Sequence, residues 1–329
     1  MPDLHTLTTD EVCARLLAAR KPILLSHVRP DGDTVGAAAA LAHFYAARGV
    51  RAAWCCADSL PRRLAFLFEG LSLATPEENE GGTVIALDVA SPSQLGALGE
   101  VYLDRVSLSI DHHEIGEPFA PTYICPAAAA TGEVLYTIFA RMQERGDVSE
   151  IPVPAAAALY AAISSDTGCF KYANVTPRTH QVAAALLSLD IAADQINHLL
   201  YDSRTEGQLA AEKLALSRFT TRLGGRVGAV CLSLADREGI PEEDFETVID
   251  IARSLAGVEI AVAIRELEGG KCKVSLRATE ADVAAIAQSF GGGGHARAAG
   301  CTVVGDPEDA LAILLPSLSD ALGKGRRKN

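Results

Sequence analysis

The chain has 329 residues, room for about two domains at ~150 residues each, and its 49% apolar and 22% charged residues exclude a disordered, collagen-like or coiled-coil protein. Its 29 basic and 42 acidic residues leave a formal charge of −13, the wrong sign for a surface that grips long nucleic acid through its phosphates. The longest uncharged runs, such as Ile151–Ser165 with 15 residues, fall short of the ~18–20 that a membrane-spanning helix needs, and no apolar signal core accompanies Asp3, Asp10 and Glu11, so a cytoplasmic location is expected.

In chain order, Pro22–Val28 reads as a buried strand, Thr34–Arg48 as an Ala-rich helix, and Arg51–Ala57, Thr83–Val89 and Arg105–Ile110 as further strands. Thr131–Glu144 and Pro154–Ser164 read as helices. This alternation predicts a parallel sheet covered by helices, with functional groups at the carboxyl ends of its strands. Thr176-Pro177 caps a further helix running on through Gln181–Leu189. Glu206–Leu223 reads as one long polar helix stopped by Gly224-Gly225, and Asp190–Ser203 carries no assignable feature. Beyond it come a strand at Val227–Leu234, a helix at Pro241–Ala256, and strands Glu259–Glu266 and Lys271–Ala278 turning at Gly269-Gly270. A helix at Ala281–Phe290, the run Gly291–Gly294, a strand at Cys301–Val304 and a helix at Pro307–Leu322 follow, then a basic tail at Lys324–Lys328.

The expected fold is therefore α/β. A parallel-sheet amino-terminal domain (1–189) is joined by a helical linker (190–223) to a smaller α/β domain (224–329). The eight cysteines contain no CxxC pair, and Cys55, Cys56, Cys231, Cys272 and Cys301 sit in apolar runs as reduced core residues. His5, His43, His180 and His198 are expected on surfaces or helix faces. Leu199–Tyr201 suits either core or dimer contact, which leaves a homodimer open.

Chemistry concentrates after the first strand. His27, Asp31 and Asp33 fall within seven residues at a strand-to-helix turn, where Asp31 and Asp33 can also serve as an Asx turn and helix cap. The pattern repeats: Asp88, then Asp111-His112-His113, then Asp166 each follow an apolar run. In a parallel sheet such positions converge at one edge. So many acids in one place would repel and raise one another's pKa values unless divalent ions compensated them, and carboxylate plus imidazole donors suit Mn²⁺, Fe²⁺, Zn²⁺ or Mg²⁺. Two ions ~3.5–4 Å apart are the apparatus for in-line displacement at phosphorus.

The segments HVRPDGD (27–33), LDVAS (87–91), DHHE (111–114) and SSDTGCF (164–170) resemble the four motifs of the DHH phosphoesterases. GGGGHARAAG (291–300) resembles the glycine-histidine motif of the DHH-associated substrate-binding domain, and the likeness covers almost the whole chain. It implies that His27, Asp31 and Asp88 hold one ion and Asp33, Asp88, His112 and Asp166 a second, with Asp88 shared and Mn²⁺ the usual metal. It further implies that Asp111 orients a histidine and that His113 faces the substrate phosphate as a hydrogen-bond or proton donor. The first domain would then be catalytic, hydrolysing a phosphoester with a metal-activated water. In the second, Gly292, Gly293 and Gly294, beside a helix start, would bring backbone N–H groups to a phosphate, with His295, Arg297 and Arg277 as further donors. Arginine suits this because its planar fork bonds phosphate bidentately; Arg265 is a weaker candidate of the same kind.

Within the family, a short acidic chain fits a RecJ-like single-strand exonuclease poorly. Membrane-type cyclic-dinucleotide phosphodiesterases carry segments missing here, and GGGGH does not belong to family II inorganic pyrophosphatases. What remains is the compact two-domain type that cuts short oligoribonucleotides to mononucleotides and 3′-phosphoadenosine 5′-phosphate to AMP, with a cyclic-di-AMP or pApA phosphodiesterase as the alternative. The expected partners are short RNA or small nucleotides, held between the metal centre and the glycine-histidine loop, and neither long nucleic acid nor a membrane. A non-cleaving nucleotide binder and an amidohydrolase are the rivals; the filled ligand positions oppose the first, and the glycines with Arg277 oppose the second.

Overall fold

A computed structural model of the protein describes residues 6–325, which divide into two compact units between Ser203 and Arg204. The first unit contains α1 (Thr9–Ala18), β1 (Ile23–Leu25), α2 (Gly32–Ala46), β2 (Ala53–Cys55), β3 (Val84–Leu87), α3 (Leu98–Tyr102), β4 (Val106–Asp111) and β5 (Thr122–Ile124). Helices α4 (Thr131–Glu144), α5 (Val153–Asp166), α6 (Pro177–Leu187) and α7 (Ala193–Asn197) complete it. Its five strands pair in parallel in the order β2-β1-β3-β4-β5. Both faces of the sheet are covered, so β1 and β3 are apolar throughout, while β4 and β5 also hold Ser107, Ser109, Asp111 and Thr122. Leu24, Ile85, Leu87, Leu108 and Ile110 enter one core, while Ile23, Leu25, Val84, Ala86 and Val106 enter the other. The small-residue faces of α2 and α5 pack beside the first core, with Ala37–Ala40 and Ala155, Ala158 and Ala161 all buried.

The second unit runs through α8 (Glu206–Arg218), β6 (Phe219–Arg222), β7 (Val227–Leu232), α9 (Val248–Arg253), β8 (Ile260–Leu267) and β9 (Lys271–Ala278). It ends with α10 (Val283–Ser289), β10 (Gly293–His295), β11 (Ala298–Val304) and α11 (Pro307–Gly325). The sheet order is β10-β11-β9-β8-β7-β6, antiparallel except for β7 beside β8. Alternate residues again feed two cores: Ala229, Val262 and Ile264 on one face, Val230, Leu232 and Ala263 on the other.

Several predicted elements differ from those observed. The helix from Glu206 stops at Arg218, because Phe219-Thr220-Thr221, aromatic and β-branched, continues as β6, and Gly224-Gly225 turns a hairpin into β7. That stretch is not a free connector: Ala211 and Ala215 of α8 are buried against Val230 and Phe245 in the second unit. The helix expected at Pro241–Ala256 is a 3₁₀ turn at Glu242–Phe245 followed by α9. Helix α1, not among the expected elements, starts at a capping box in which Thr8 and Glu11 bond each other's backbone N–H. Asp190–Ser203 includes α7 and a π-helical turn at His198–Asp202; Leu200 is buried there and the Tyr201 hydroxyl donates to the Ser164 carbonyl, so these two belong to the core, while Leu199 is exposed. Of the core cysteines, Cys56 is only half-buried, and its thiol donates to the His27 carbonyl. His43 packs inside the first unit and bonds the Leu67 carbonyl, whereas His180 is exposed on α6, as expected, and stacks on Phe170; His5 and residues 326–329 of the basic tail lie outside the described residues. Among the described residues no helix is long and apolar enough to cross a membrane.

Candidate metal centre

The strand order of the first unit reverses between β1 and β3, and in such sheets ligands bind at the carboxyl ends of the strands at that point. His27 follows β1 and Asp88 follows β3, so the two flank the crevice. Asp111 closes β4, with His112 and His113 after it. Asp31 caps α2, and Asp33 lies in its first turn. Asp166 comes from the expected helix rather than from a strand: it is the last residue of α5. Glycine at position 32 is what allows this, since a Cβ there would stand 2.3 Å from the Ser165 hydroxyl.

Three overlapping donor sets result, His27–Asp31–Asp88, Asp33–His112–Asp166 and Asp88–His112–His113, each with its ligand atoms within 4.8 Å of one another. Asp88 divides its carboxylate between two histidines. Its Oδ2 lies 3.5 Å from Nε2 of His27, and its Oδ1 lies 3.7 Å from Nε2 of His112. Nε2 of His112 also stands 3.8 Å from Asp33 and 3.7 Å from Asp166, and Nε2 of His27 stands 3.7 Å from Asp31. These separations exceed the ~2.7–3.2 Å of an N–H···O hydrogen bond. They lie close to the roughly 3.0–3.6 Å between two donors that each sit ~2.1 Å from one cation at 90–120°. The imidazoles are turned for this role. Nδ1 of His27 donates to the Val28 carbonyl at 2.8 Å and Nδ1 of His112 to the Ala128 carbonyl at 3.2 Å, so Nε2 is the nitrogen each turns toward the acids and would offer a cation on losing its proton.

The electrostatics agree. Burial, then the charges of Asp88, Asp166 and Asp31, push the Asp33 carboxyl well above its ordinary range. Burial raises Asp166 to about 6, with Asp88 and Asp31 adding to the rise and His112 and His113 opposing it. Burial alone would lower His27, but its contacts with Asp31 and Asp88 and their charges hold it up at about 11. Divalent cations relieve such crowding, and mixed oxygen and imidazole donors suit them, so the residues present fit two such ions. Asp31 does both jobs its position allows: its Oδ1 accepts the N–H groups of Asp33 and Thr34 at 3.0 and 3.2 Å while facing His27. Asp88 sits in the left-handed region at φ 60°, a conformation that aspartate tolerates better than most residues.

Asp111 lies behind the donors. Its Oδ1 accepts the Nδ1–H of His113 at 2.7 Å and the backbone N–H groups of His112 and His113 at 2.7 and 3.2 Å. Burial works against ionisation of Asp111, but His113 and these N–H groups hold its carboxyl below the ordinary value. The same bond, against burial, lifts His113 to about 9.

In the second unit, Arg277 on β9 pairs with Ala298 on β11, which pairs with His295 on β10, so three strands place these backbones in one row. Arg277 donates to the Leu276 carbonyl at 3.0 Å, and Arg297 donates to the carbonyls of Ala281, at 2.9 Å, and Glu280. Arg265 lies elsewhere, 9% exposed and 2.9 Å from Glu242. The glycine run does not stand at a helix start. It follows the carboxyl end of α10, where the N–H groups of Gly291 and Gly292 already bond helix carbonyls, and Gly293 and Gly294 enter β10. Strand packing accounts for two of its glycines: a Cβ on Gly292 would lie 2.2 Å from the Gly300 carbonyl, and Gly294 sits at φ 137°, whereas a Cβ on Gly293 would meet nothing within 4 Å.

Two partners of the donors carry no local sequence signal. Thr131 bonds Asp88 through its hydroxyl and Asp33 through its backbone N–H. Asn174 donates to the Ala129 carbonyl and reaches Asp166. Asp33 in turn caps α4, whose Ala130 N-cap has no side-chain acceptor: its two oxygens take the N–H groups of Thr131 and Gly132 at 2.6 and 2.9 Å.

A parallel sheet whose carboxyl edge gathers aspartates and histidines that could hold metal ions fits the class of metal-dependent hydrolases. Comparison with known proteins narrows it. Residues 21–163 match the DHH family, N-terminal domain, and residues 203–323 match the DHHA1 domain. The chain belongs to the DHH family of phosphoesterases, which are metal-dependent enzymes. It is 32% identical over 315 residues, covering 93% of this chain and 92% of the relative, to the bifunctional oligoribonuclease and PAP phosphatase NrnA of Thermus thermophilus. It is 25% identical over 307 residues, covering 90% and 94%, to the protein of the same name from Bacillus subtilis. An exopolyphosphatase-related protein from Bacteroides fragilis shares the fold, with a TM-score of 0.85 at 22% identity over 95% of both chains.

Proposed function

We propose that the protein is a two-metal phosphoesterase that hydrolyses short oligoribonucleotides to mononucleotides and 3′-phosphoadenosine 5′-phosphate to AMP, with Mn²⁺ as its ion. One observation carries the reading: the two oxygens of Asp88 face His27 and His112 in two separate donor sets. The names of the relatives supply the substrates, and the charge of −13 favours short ligands over long nucleic acid. His27, Asp31 and Asp88 would hold one cation, and Asp33, Asp88, His112 and Asp166 the other. Bound there, the cations would lower the pKa of a water and neutralise phosphate charge.

The remaining work falls to side chains. Asp111 fixes the Nδ1–H of His113, so Nε2 would be the nitrogen that gives a proton to the leaving ribose oxygen. Near-complete burial of Asp33 and Asp88, at 1% and 2% exposure, keeps water from the rear of the centre. In the second unit, Arg277, Arg297 and Gly292–His295 would hold the substrate's phosphate and set its length. Turnover with Mn²⁺ tests this on a 5′-labelled RNA trimer, 3′-phosphoadenosine 5′-phosphate, pApA, cyclic di-AMP and a 40-mer single strand. Cleavage of the first two with the 40-mer spared is expected. Preference for pApA or cyclic di-AMP would keep the chemistry and replace the substrate; no EDTA-sensitive cleavage of any would overturn the reading.

A further inference from the structure

We propose that residues Ala128–Gly132, the approach to α4 and its first turn, are a positioning clamp for the metal centre, with the Thr131 hydroxyl as its key contact. The inference rests on the two-metal reading above. This segment is joined to four of the six candidate donors. The Ala128 carbonyl accepts Nδ1–H of His112 at 3.2 Å and so selects the ring nitrogen that faces the acids. The Ala129 carbonyl accepts from Asn174 at 3.0 Å, and the same amide reaches Oδ2 of Asp166 at 3.4 Å. The N–H groups of Thr131 and Gly132 hold both oxygens of Asp33, and the Thr131 hydroxyl donates to Oδ1 of Asp88 at 2.9 Å.

The physics of a helix start explains why this stretch can do so. The first N–H groups of a helix have no partner inside it, and its positive end favours ionised acids. Thr131, the first residue of α4 and 0% exposed, has no carbonyl one turn back within the helix to attract its hydroxyl. The hydroxyl is therefore spent on Asp88, the acid whose rotation matters most, since its two oxygens face different donor sets. Asp88 cannot readily compensate through its backbone, which is already in the left-handed region. His27 and Asp31 lie outside the clamp and are oriented by their own loop.

The test is calorimetric titration of Mn²⁺ into metal-free protein for wild type, Thr131→Val, Thr131→Ser, Asn174→Ala and Asp166→Asn, with electron paramagnetic resonance of the loaded samples. Thr131→Val should bind Mn²⁺ about 10–100-fold more weakly and lose the spin-coupled signal of an ion pair, as loss of a group that orients ligands usually does. Thr131→Ser, which keeps the hydroxyl, should restore both, which a packing role for the threonine methyl would not. Asn174 is exposed, so Asn174→Ala should fold and weaken only one of the two binding events. Wild-type affinity and signal in both Thr131→Val and Asn174→Ala would overturn the clamp. Wild type taking up no Mn²⁺, or Asp166→Asn binding as tightly as wild type, would instead overturn the two-metal reading and the clamp with it.

Discussion

The two units solve different problems with the same materials. In the first, every strand runs the same way, so the ends of β1, β3 and β4 deliver His27, Asp88 and Asp111 to one edge from positions far apart in the chain. In the second, only β7 and β8 are parallel, and the ends of the strands mostly alternate. Its candidate groups therefore gather along a row across β9, β11 and β10. An edge collects side chains onto one point, which suits metal ions; a row spreads them over several ångströms, which suits the length of a substrate. Under the proposed function the comparison predicts a division of labour: changes at the edge should abolish chemistry, and changes along the row should alter binding.

The sharpest break would come at Asp88. Asp88→Asn keeps a residue that tolerates φ near 60°, so the backbone should survive while turnover falls roughly 10³-fold or more and Mn²⁺ stoichiometry drops below two. Steady-state kinetics with metal analysis checks it, and retained two-ion binding would dissolve the role assigned to the edge. Next is Arg277→Ala. Loss of a charge-assisted bond to phosphate costs about 1.5–3 kcal/mol, so KM should rise roughly 10–100-fold with kcat nearly unchanged. A fall in kcat with KM intact would blur the division.

The smallest effect is a pH dependence confined to the edge. Asp166 has a folded value of about 6, above its ordinary 3.8. Its contribution to the metal-free fold is thus present below pH ~4 and lost as pH rises through 6, whereas metal binding needs the ionised acid. The gain in Tm from saturating Mn²⁺ should therefore grow by a few degrees between pH 5 and pH 7, seen in paired thermal scans. A gain independent of pH would show that Asp166 is not drawn on by the ions.

The edge was legible because its residues lie in short local patterns: His27 to Asp33 share one turn, and Asp111-His112-His113 is contiguous. Runs such as Val84–Leu87, buried on both faces, announce parallel strands without further context. What escaped depends on distant partners. Thr122–Ile124 is a three-residue strand defined by its pairing with β4 on one side and a bridge from Thr122 to Thr6 on the other. Thr131 meets Asp33 and Asp88 across separations of 98 and 43 residues, which no local spacing encodes. The setting of the glycine run escaped for a related reason: a run beside a helix start and a run that follows a helix end into a strand look alike until β11 is in place.

The carboxylate of Asp33 closes the open end of a helix as well as facing His112. That gives inheritance a direction. A gene copy drifting away from catalysis can shed Asp166, at a helix end with its side chain 31% exposed, and still encode a sound fold. Losing Asp33 strips α4 of its only side-chain acceptor among the described residues, so a copy that keeps this architecture should keep that acid for folding even where selection on turnover has lapsed.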